Sequence, residues 1–572
     1  MAEYLSPGVY VEEFESGLRP MEGVGTSTAG FIGMAEKGKV TGTPEFVTSF
    51  ADFNRKFGGY LPESTYGEFR YLAYAVEQFF ANGGSRCYVM RTVASDAATA
   101  GVTANGISIQ AKNPGKWGNE IKVTAVAATK GKTAVLEATG EDPAAKVYTV
   151  ANGSIFAEGD TVVIRNNGKA VGYNKIAMVQ GNTITLALPV KEDLVDKSPV
   201  PRKVLSTCEM NMEVSYRDQV EIYEGVSLNA DAASFISKVL SKSDLVDVSA
   251  EEIKEAINPL SVFGAAADAD KAIVFLAGGS DGGKKAITDD VFLGVDGGPG
   301  KRTGLAAFKE LNNVSIMAIP GVTSPAVQLA LTAHCANTGA SFAVLDVPQN
   351  LTKPQDVLAH KEKIDSDYAA MYHPWIQIYD VLNKRPAYIP PSGAVCGIYA
   401  RSDVERGVHK APANEVVYNC IGLSCLYNKA EQDILNPAGV NLIRALPGQG
   451  IRVWGARTCS SNSLWKYVNV RRLFIYLEES IKSQTNWAVF EPNDEMLWAR
   501  VGRTIREFLR DMWRSGALVG TTEDQAFFVN IGRDTMSQSD ILNGRLICEI
   551  GVAPSRPAEF VIFRITQFME ES

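Results

Sequence analysis

"NNVSIMAIPGVTSPAVQLALTAHCANTGASFAVLDVP", residues 312–348, decides the fold class. Each end of it carries an uninterrupted apolar run, SIMAI and SFAVL. A strand with one wet face alternates apolar and polar residues, so a run that is apolar throughout belongs to a sheet covered on both faces. The stretch between the runs, SPAVQLALTAHCANTG, has helical composition and a closing glycine, Gly339. Strand, helix and strand in that order form a crossover unit, which makes the two strands parallel. "KAIVFLAGG", residues 271–279, reads as a further strand of the same buried type. Residues from about 220 to 425 are therefore expected to form a parallel sheet with helices on both sides.

Working outward, the chain changes texture several times. Residues 25–93 are mixed: TAGFIGMAE and SRCYVMRTV read as strands, and EFVTSFADFNRKFGG as a short helix. A second helix places Phe69, Leu72, Val76 and Phe79 or Phe80 on one face and stops at Asn82-Gly83-Gly84. From 95 to 215 short strands (ISIQA, EIKVTAV, TVVIR, TITLAL) alternate with Gly, Asn, Asp and Pro turns. That pattern predicts an inserted β-rich sandwich or barrel, with VKEDLVDKSPVPRK as the linker leading back out. Beyond 438 an α+β unit begins. Its strongest helix lies in EPNDEMLWARVGRTIREFLRDMWRSG, with Asn493 as the expected N-cap and Gly516 past the end. Leu497, Val501, Ile505, Phe508 and Met512 share its apolar face, and Arg503, Arg506, Arg510 and Arg514 line the opposite one. AFFVNIG, RLICEIGVAP and AEFVIFRITQF then read as strands.

"YLSPGVYVEEFESG", residues 4–17, is a strand without a neighbour in sequence: Val9-Tyr10-Val11 is β-branched and aromatic, and Gly17 and Pro20 isolate it. Its N–H and C=O groups need a sheet edge elsewhere, in this chain or another. The expected division is a terminal arm (1–22), the first part of the mixed core (23–94), the insert (95–215), the parallel α/β domain (216–437) and a C-terminal unit (438–572).

Composition narrows the function. A chain of 572 residues, 45% apolar and 21% charged, has the make-up of an ordinary multidomain globular protein. The net charge of −9 argues against a general nucleic-acid partner. The start, MAEYLSPG, lacks the basic and apolar regions of a secretory signal, and no apolar run reaches the roughly 18 residues a membrane span needs. The 8 cysteines are scattered with no C-x-x-C pair, and the 4 histidines are far apart, so neither a disulfide scaffold nor a metal site is expected.

Three stretches invite a catalytic reading. Gly278, Gly283 and Lys284 have the spacing of a phosphate-cradling loop, but Lys285 stands where a hydroxyl should hold Mg²⁺ and no helix follows. Ser27, in GTSTAG, is similar to the serine loop of subtilisin-type proteases, yet it precedes every histidine in the chain. His373, Asp380, Ser392 and Asp403 make a triad on paper, although Ser392 lies in no G-x-S-x-G elbow. None makes a site, so no catalytic residue and no cofactor is assigned.

Taken together and in order, SPGVYVEE, TSTAGFIGMAEKG, NPGKWGNEIKV, LAGGSDG, FAVLDVP, YHPWIQIYD, IPPSGAVCGIYARSDVERGVHKAPANE and YVNVRRLFIYLEESI resemble the contractile tail sheath proteins of bacteriophages and phage-tail-like injection particles. One departure is His409, where the family pattern has tryptophan. The resemblance implies a central subtilisin-like domain without a working triad. It implies a non-enzymatic subunit that stacks in hexameric rings around an inner tube, is bounded by baseplate and tail terminator proteins, and contracts to drive the tube through an envelope. Particles of this kind are made in a bacterial cytoplasm. Neither nucleic-acid binding nor membrane insertion is implied. The terminal strands would pair between subunits, through Val9, Tyr10, Val11 and Glu12 at one end and Phe560, Ile562, Phe563 and Ile565 at the other. The C-terminal unit would face the tube, with Arg503, Arg506 and Arg510 as possible contacts, and the insert would decorate the outside. Two alternatives stay open: a catalytic shell protein that binds nucleotide or acts as a hydrolase, and a static, non-contractile tube or capsid component with a single lattice.

Overall fold

A nine-stranded sheet organises the computed structural model, which describes residues 23–562 apart from 140–145, 191–192, 251–254 and 267–268. Six strands are parallel: β1 (Ala29–Met34), β2 (Cys87–Thr92), β3 (Ile316–Ala318), β4 (Phe342–Asp346), β5 (Ala369–His373) and β6 (Val440–Leu446). Their spatial order, 2-1-3-4-5-6, is the doubly wound order 2-1-3-4-5 with one strand added. Short antiparallel strands close both edges.

Side chains of successive residues enter opposite cores: Phe31 and Ile32, Ile316 and Met317, Phe342 and Ala343, Ala370 and Met371. This is why runs such as FAVL and AAM within the parallel strands are apolar without alternation. Helices α1 (Leu72–Ala81) and α3 (Ser392–Arg406) cover one face, and α2 (Pro325–Thr338) covers the other with Phe292, Phe308 and Val357. The limits of α2 are local chemistry. Pro325 occupies its first turn, where a missing N–H costs nothing, and Gly339 ends it at φ +67°, a conformation open to glycine.

After β2 the chain leaves the sheet for a nested β-rich excursion. Gly101–Ala104, Ile107–Ala111 and Val246–Ala250 form a three-stranded sheet. Lys122–Ala128, Glu209–Tyr216, Gln219–Val226 and Lys271–Phe275 form a four-stranded one, and the two share a core that includes Ile109, Trp117, Val123 and Val214. Between Ala128 and Glu209 the chain builds a closed six-stranded barrel, Lys132–Thr207, around Val135, Tyr148, Val162, Ile184 and Leu205.

Two sequence expectations change here. The β-rich region runs on past 215 to Phe275, because KAIVFLAGG pairs antiparallel with Lys122–Ala128 instead of joining the parallel sheet. Its apolar run misleads because Ile273 and Phe275, on the outer face, are more than half exposed. The expected linker is, over residues 193–203, part of the barrel: Asp196 accepts hydrogen bonds from the backbone of Ser198, Arg202 and Lys203, which opens the last barrel strand.

The C-terminal unit packs α4 (Val468–Gln484) and α5 (Glu495–Arg514) against a two-stranded sheet, β7 (Phe527–Ile531) and β8 (Cys548–Val552). Leu473 and Leu477 of α4 meet Leu497, Val501, Ile505 and Phe508 of α5 in its core. The N-cap of α5 is Asp494, which accepts from the N–H of Leu497 at 2.8 Å; Asn493 instead accepts from the indole of Trp498.

Candidate assembly interface

The catalytic-looking residues do not converge. Ser392 donates to Asp346 at 2.7 Å, a carboxylate that also accepts from the N–H groups of Ser392 and Gly321. Burial pushes Asp346 up to about 6 against those donors. Asp380 accepts from Tyr74 and Asn383, and Asp403 holds Arg472 through two bonds of 2.8 and 2.6 Å. His373 lies 2.8 Å from the Tyr427 hydroxyl and 3.7 Å from the thiol of Cys425. Burial lowers His373 to about 4 and raises Cys425, so the pair is neutral and holds no thiolate nucleophile. Each member of the paper triad therefore serves a separate structural contact.

The loop Gly278–Lys284 has spent the donors a phosphate would need. The N–H of Gly279 goes to Asn119, that of Gly282 to Ser280 and that of Gly283 to the carboxylate of Asp96. An acid already occupies the anion's place, and only a 3-10 turn, Lys284–Ala286, follows. Ser27 sits in the approach to β1. Among the described residues no cluster of His, Cys, Asp or Glu could hold a metal, and no helix is long and apolar enough to cross a membrane.

What remains is a set of surfaces. The sheet of β7 and β8 has only two strands, so among the described residues each strand keeps one unpaired edge. Phe528 and Ile550 are exposed on it. The expected strand partners divide: Val9, Tyr10, Val11, Glu12, Phe563 and Ile565 lie outside the described residues, whereas Phe560 and Ile562 are exposed and in no strand. The arginine stripe of α5 is partly engaged. Arg510 grips Glu523 at 2.8 and 2.9 Å, Arg506 donates to the carbonyl of Val529 in β7, and Arg503 is exposed.

Both ends of the described chain are clamped to the body. Glu559 accepts two bonds of 2.7 Å from Arg457, one of 2.7 Å from Asn436 and one of 3.0 Å from the Tyr467 hydroxyl. Burial alone would raise its carboxyl, but Arg457 and Asn436 outweigh it and hold Glu559 below the usual range. At the other end Val24 donates to Ser480 at 3.1 Å and Arg472 donates to the carbonyl of Thr26. A cleft of about 490 Å³ opens beside this end, bordered by Val24, Asn312, Arg472, Tyr476 and Lys482. Sequence reasoning missed Arg457, Tyr467, Ser480 and Glu559, because partners 102 or 456 positions apart leave no local signal.

Comparison with known proteins points to a structural family. The family described as phage tail sheath protein central domain matches residues 294–459, and the phage tail sheath C-terminal domain matches residues 460–568. This chain belongs to the phage tail sheath family. The sheath protein is a structural subunit of a contractile tail or injection particle. It is 26% identical over 277 residues to the putative prophage major tail sheath protein of Pseudomonas aeruginosa (strain UCBPP-PA14), a match covering 46% of this chain and 69% of that one. In fold it is similar to a chain of the anti-feeding prophage baseplate, 21% identical with a TM-score of 0.51, over 99% of this chain and 100% of that one. It is likewise similar to the sheath complex of an extracellular contractile injection system in the contracted state, 20% identical with a TM-score of 0.52, over 100% and 99%.

Proposed function

We propose that this sheath subunit polymerises as stacked hexameric rings around an inner tube, assembled in a bacterial cytoplasm between baseplate and terminator proteins. Contraction of the sleeve then drives the tube through a target envelope. The observation that carries this reading is the β7–β8 sheet, whose two strands each keep one unpaired edge among the described residues. The arm 1–22 of one subunit and the tail beyond Glu559 of another would add strands there, with main-chain bonds supplying affinity. Fully extended at about 3.3 Å per residue, the first twenty residues reach roughly 65 Å, enough to cross to a neighbour. The subtilisin-like description of the central domain, the tube-facing role of Arg503, Arg506 and Arg510, and an outward place for the β-rich insert belong to the same proposal.

Deleting residues 1–20 tests it. The truncated subunit is expected to keep its circular dichroism and thermal transition while losing the ability to form sleeves. Unfolding of the truncated chain, or normal assembly and contraction, would rule out strand donation.

A further inference from the structure

The four-stranded sheet of the β-rich excursion has two edges that match each other. Its order is Gln219–Val226, Glu209–Tyr216, Lys122–Ala128, Lys271–Phe275, each strand antiparallel to the next. One face packs on the core around Trp117 and Val214. The other face is bare: Val220 and Ile222 on one edge strand, and Ile273 and Phe275 on the other, are between 52% and 69% exposed. Among the described residues no strand adds to either edge, apart from a single bridge between Gly101 and Ala277 just past Phe275.

The ladder decides which main-chain groups these edges offer. Leu276 donates to the carbonyl of Ile121, and Ala127 donates to that of Asp270. Even-numbered residues of the last strand therefore bond inward, and Lys271, Ile273 and Phe275 turn their N–H and C=O groups outward. Counted across the registers, Val220, Ile222 and Glu224 do the same at the opposite edge. All six of these residues are exposed. With an even number of strands, the two edge strands run in opposite directions. A second copy set beside the first by translation then meets it antiparallel, with the same face bare. Its rows continue those already in the sheet, Val220–Ser215–Lys122–Phe275 and Ile222–Glu213–Thr124–Ile273. Phe275 faces Val220 of the second copy, Ile273 faces Ile222, and Lys271 faces Glu224. Apolar side chains meet apolar ones, and opposite charges meet at the end. Pairing two like edges about Ile273 or Ile222 would instead set each charge against an apolar side chain.

We infer that this sheet is a second contact between copies of the chain, joining the Lys271–Phe275 edge of one to the Val220–Glu224 edge of the next. The two edges differ, so the contact is head-to-tail and repeats along a polymer instead of closing a dimer. Three residue pairs fall short of the roughly 1,200 Å² that a stable complex buries, so the contact works between copies already held together. The inference thus rests on the sleeve proposed above. Assembly there belongs to the β7–β8 sheet, and this edge ties neighbours already in place.

Disulfide trapping tests it. Hydrogen-bonded partners on antiparallel strands have Cα atoms about 5.5 Å apart, within reach of a disulfide. Ile222→Cys and Ile273→Cys alter exposed side chains, so both variants should fold. Oxidised in assembled sleeves, a mixture of the two single variants should give covalent dimers, and the double variant a ladder of longer multimers. Each single variant alone should match the wild-type chain, whose own cysteines set the background. A mixture without dimers overturns the contact, and so do dimers from Ile273→Cys alone, which would mean two-fold pairing. In the double variant, Lys271→Glu should cut the yield several-fold, and Glu224→Lys added to it should restore the yield. An unchanged yield with Lys271→Glu overturns the pairing. The same mixture as free subunits at about 1 mM, the effective concentration a short tether supplies, should also give dimers. If the wild-type chain forms no sleeves, the sheath reading fails, and the free-subunit arm still judges the contact: no dimers there overturns it.

Discussion

In the barrel Lys132–Thr207 every strand has two hydrogen-bonded neighbours; in the β7–β8 sheet every strand has one. The barrel encloses its own core and needs nothing from outside. The C-terminal sheet rests on α5 on one side, leaves main-chain donors and acceptors at its edges, and turns Phe528 outward on the other face. An edge of this kind is a hazard in a monomer and a connector in a polymer. One molecule thus holds a β-structure closed against partners and another left open to them. On the function proposed above, the contrast assigns assembly to the small unfinished sheet, and not to the region richest in strands.

The largest expected effect comes from blocking the open sheet. Replacing Phe528 with lysine puts a charge on a side chain already half exposed on the outer face, so the monomer should keep its thermal transition. Burying that side chain against a neighbour is worth about 1.5–3 kcal/mol, so losing it weakens each subunit contact by about tenfold to a hundredfold. Sleeve formation followed by light scattering and electron microscopy should fail. Normal sleeves from this variant would mean that the open edges are not the connector.

Core truncations separate stability from assembly. Phe508→Ala, beneath the open sheet, and Ile184→Ala, inside the barrel, both empty fully packed sites and should each cost about 2–5 kcal/mol in chemical denaturation. Their consequences should diverge. The first should depress sleeve yield by loosening the floor of β7 and β8, and the second should leave yield unchanged. Equal losses of yield would erase the distinction between the two regions.

How much of this was legible in the sequence differs along the same line. The parallel strands declared themselves because burial on both faces favours apolar residues without alternation, as FAVL shows. Helix α5 did so through its period, with Leu497, Val501, Ile505 and Phe508 buried as spaced. KAIVFLAGG deceived because an apolar outer face imitates a buried strand. The barrel's closure was illegible, since nothing local says whether the last strand meets the first. For the candidate site, the paper triad and the glycine loop were legible as motifs, but the separate partners of their residues were not. The clamps at Glu559 and Val24 join residues far apart in sequence and could not be read from it.

An effect of intermediate size should appear with pH, and in the core alone. His373 is fully buried and its ordinary value falls to about 4 in the fold. The unfolded chain takes up a proton near pH 6.5 while the folded one does not, so stability is lost as pH falls from about 6.5 to 4. The loss reaches at most about 3 kcal/mol for this residue. Buried Asp346, raised to about 6, acts in the opposite sense: its contribution is present below about 4 and fades as pH rises through 6. His373→Gln should flatten the acid-side decline in melting temperature. An unaltered slope would place the acid sensitivity elsewhere.

The smallest effect tests the closed region directly. Ala128 and Glu209, which flank the barrel, are register partners on adjacent antiparallel strands, so their backbones already lie side by side. Residues 129–208 can therefore be replaced by Asn-Gly, a two-residue turn whose twist suits a hairpin. The ladder from Lys122↔Ser215 to Ala128↔Glu209 should continue straight through the new turn. The lost contacts at the junction are few and polar: Asn229 gives up its bonds to Asp160 and to the carbonyl of Glu158, Glu209 gives up those from Lys130 and Thr207, and water can replace them. The shortened subunit should lose the barrel's own unfolding transition, keep that of the remainder within a few degrees, and form sleeves that contract as the full chain does. If sleeves fail while the monomer stays folded, the barrel holds a lattice contact, and a closed sheet would then be as much a connector as an open one.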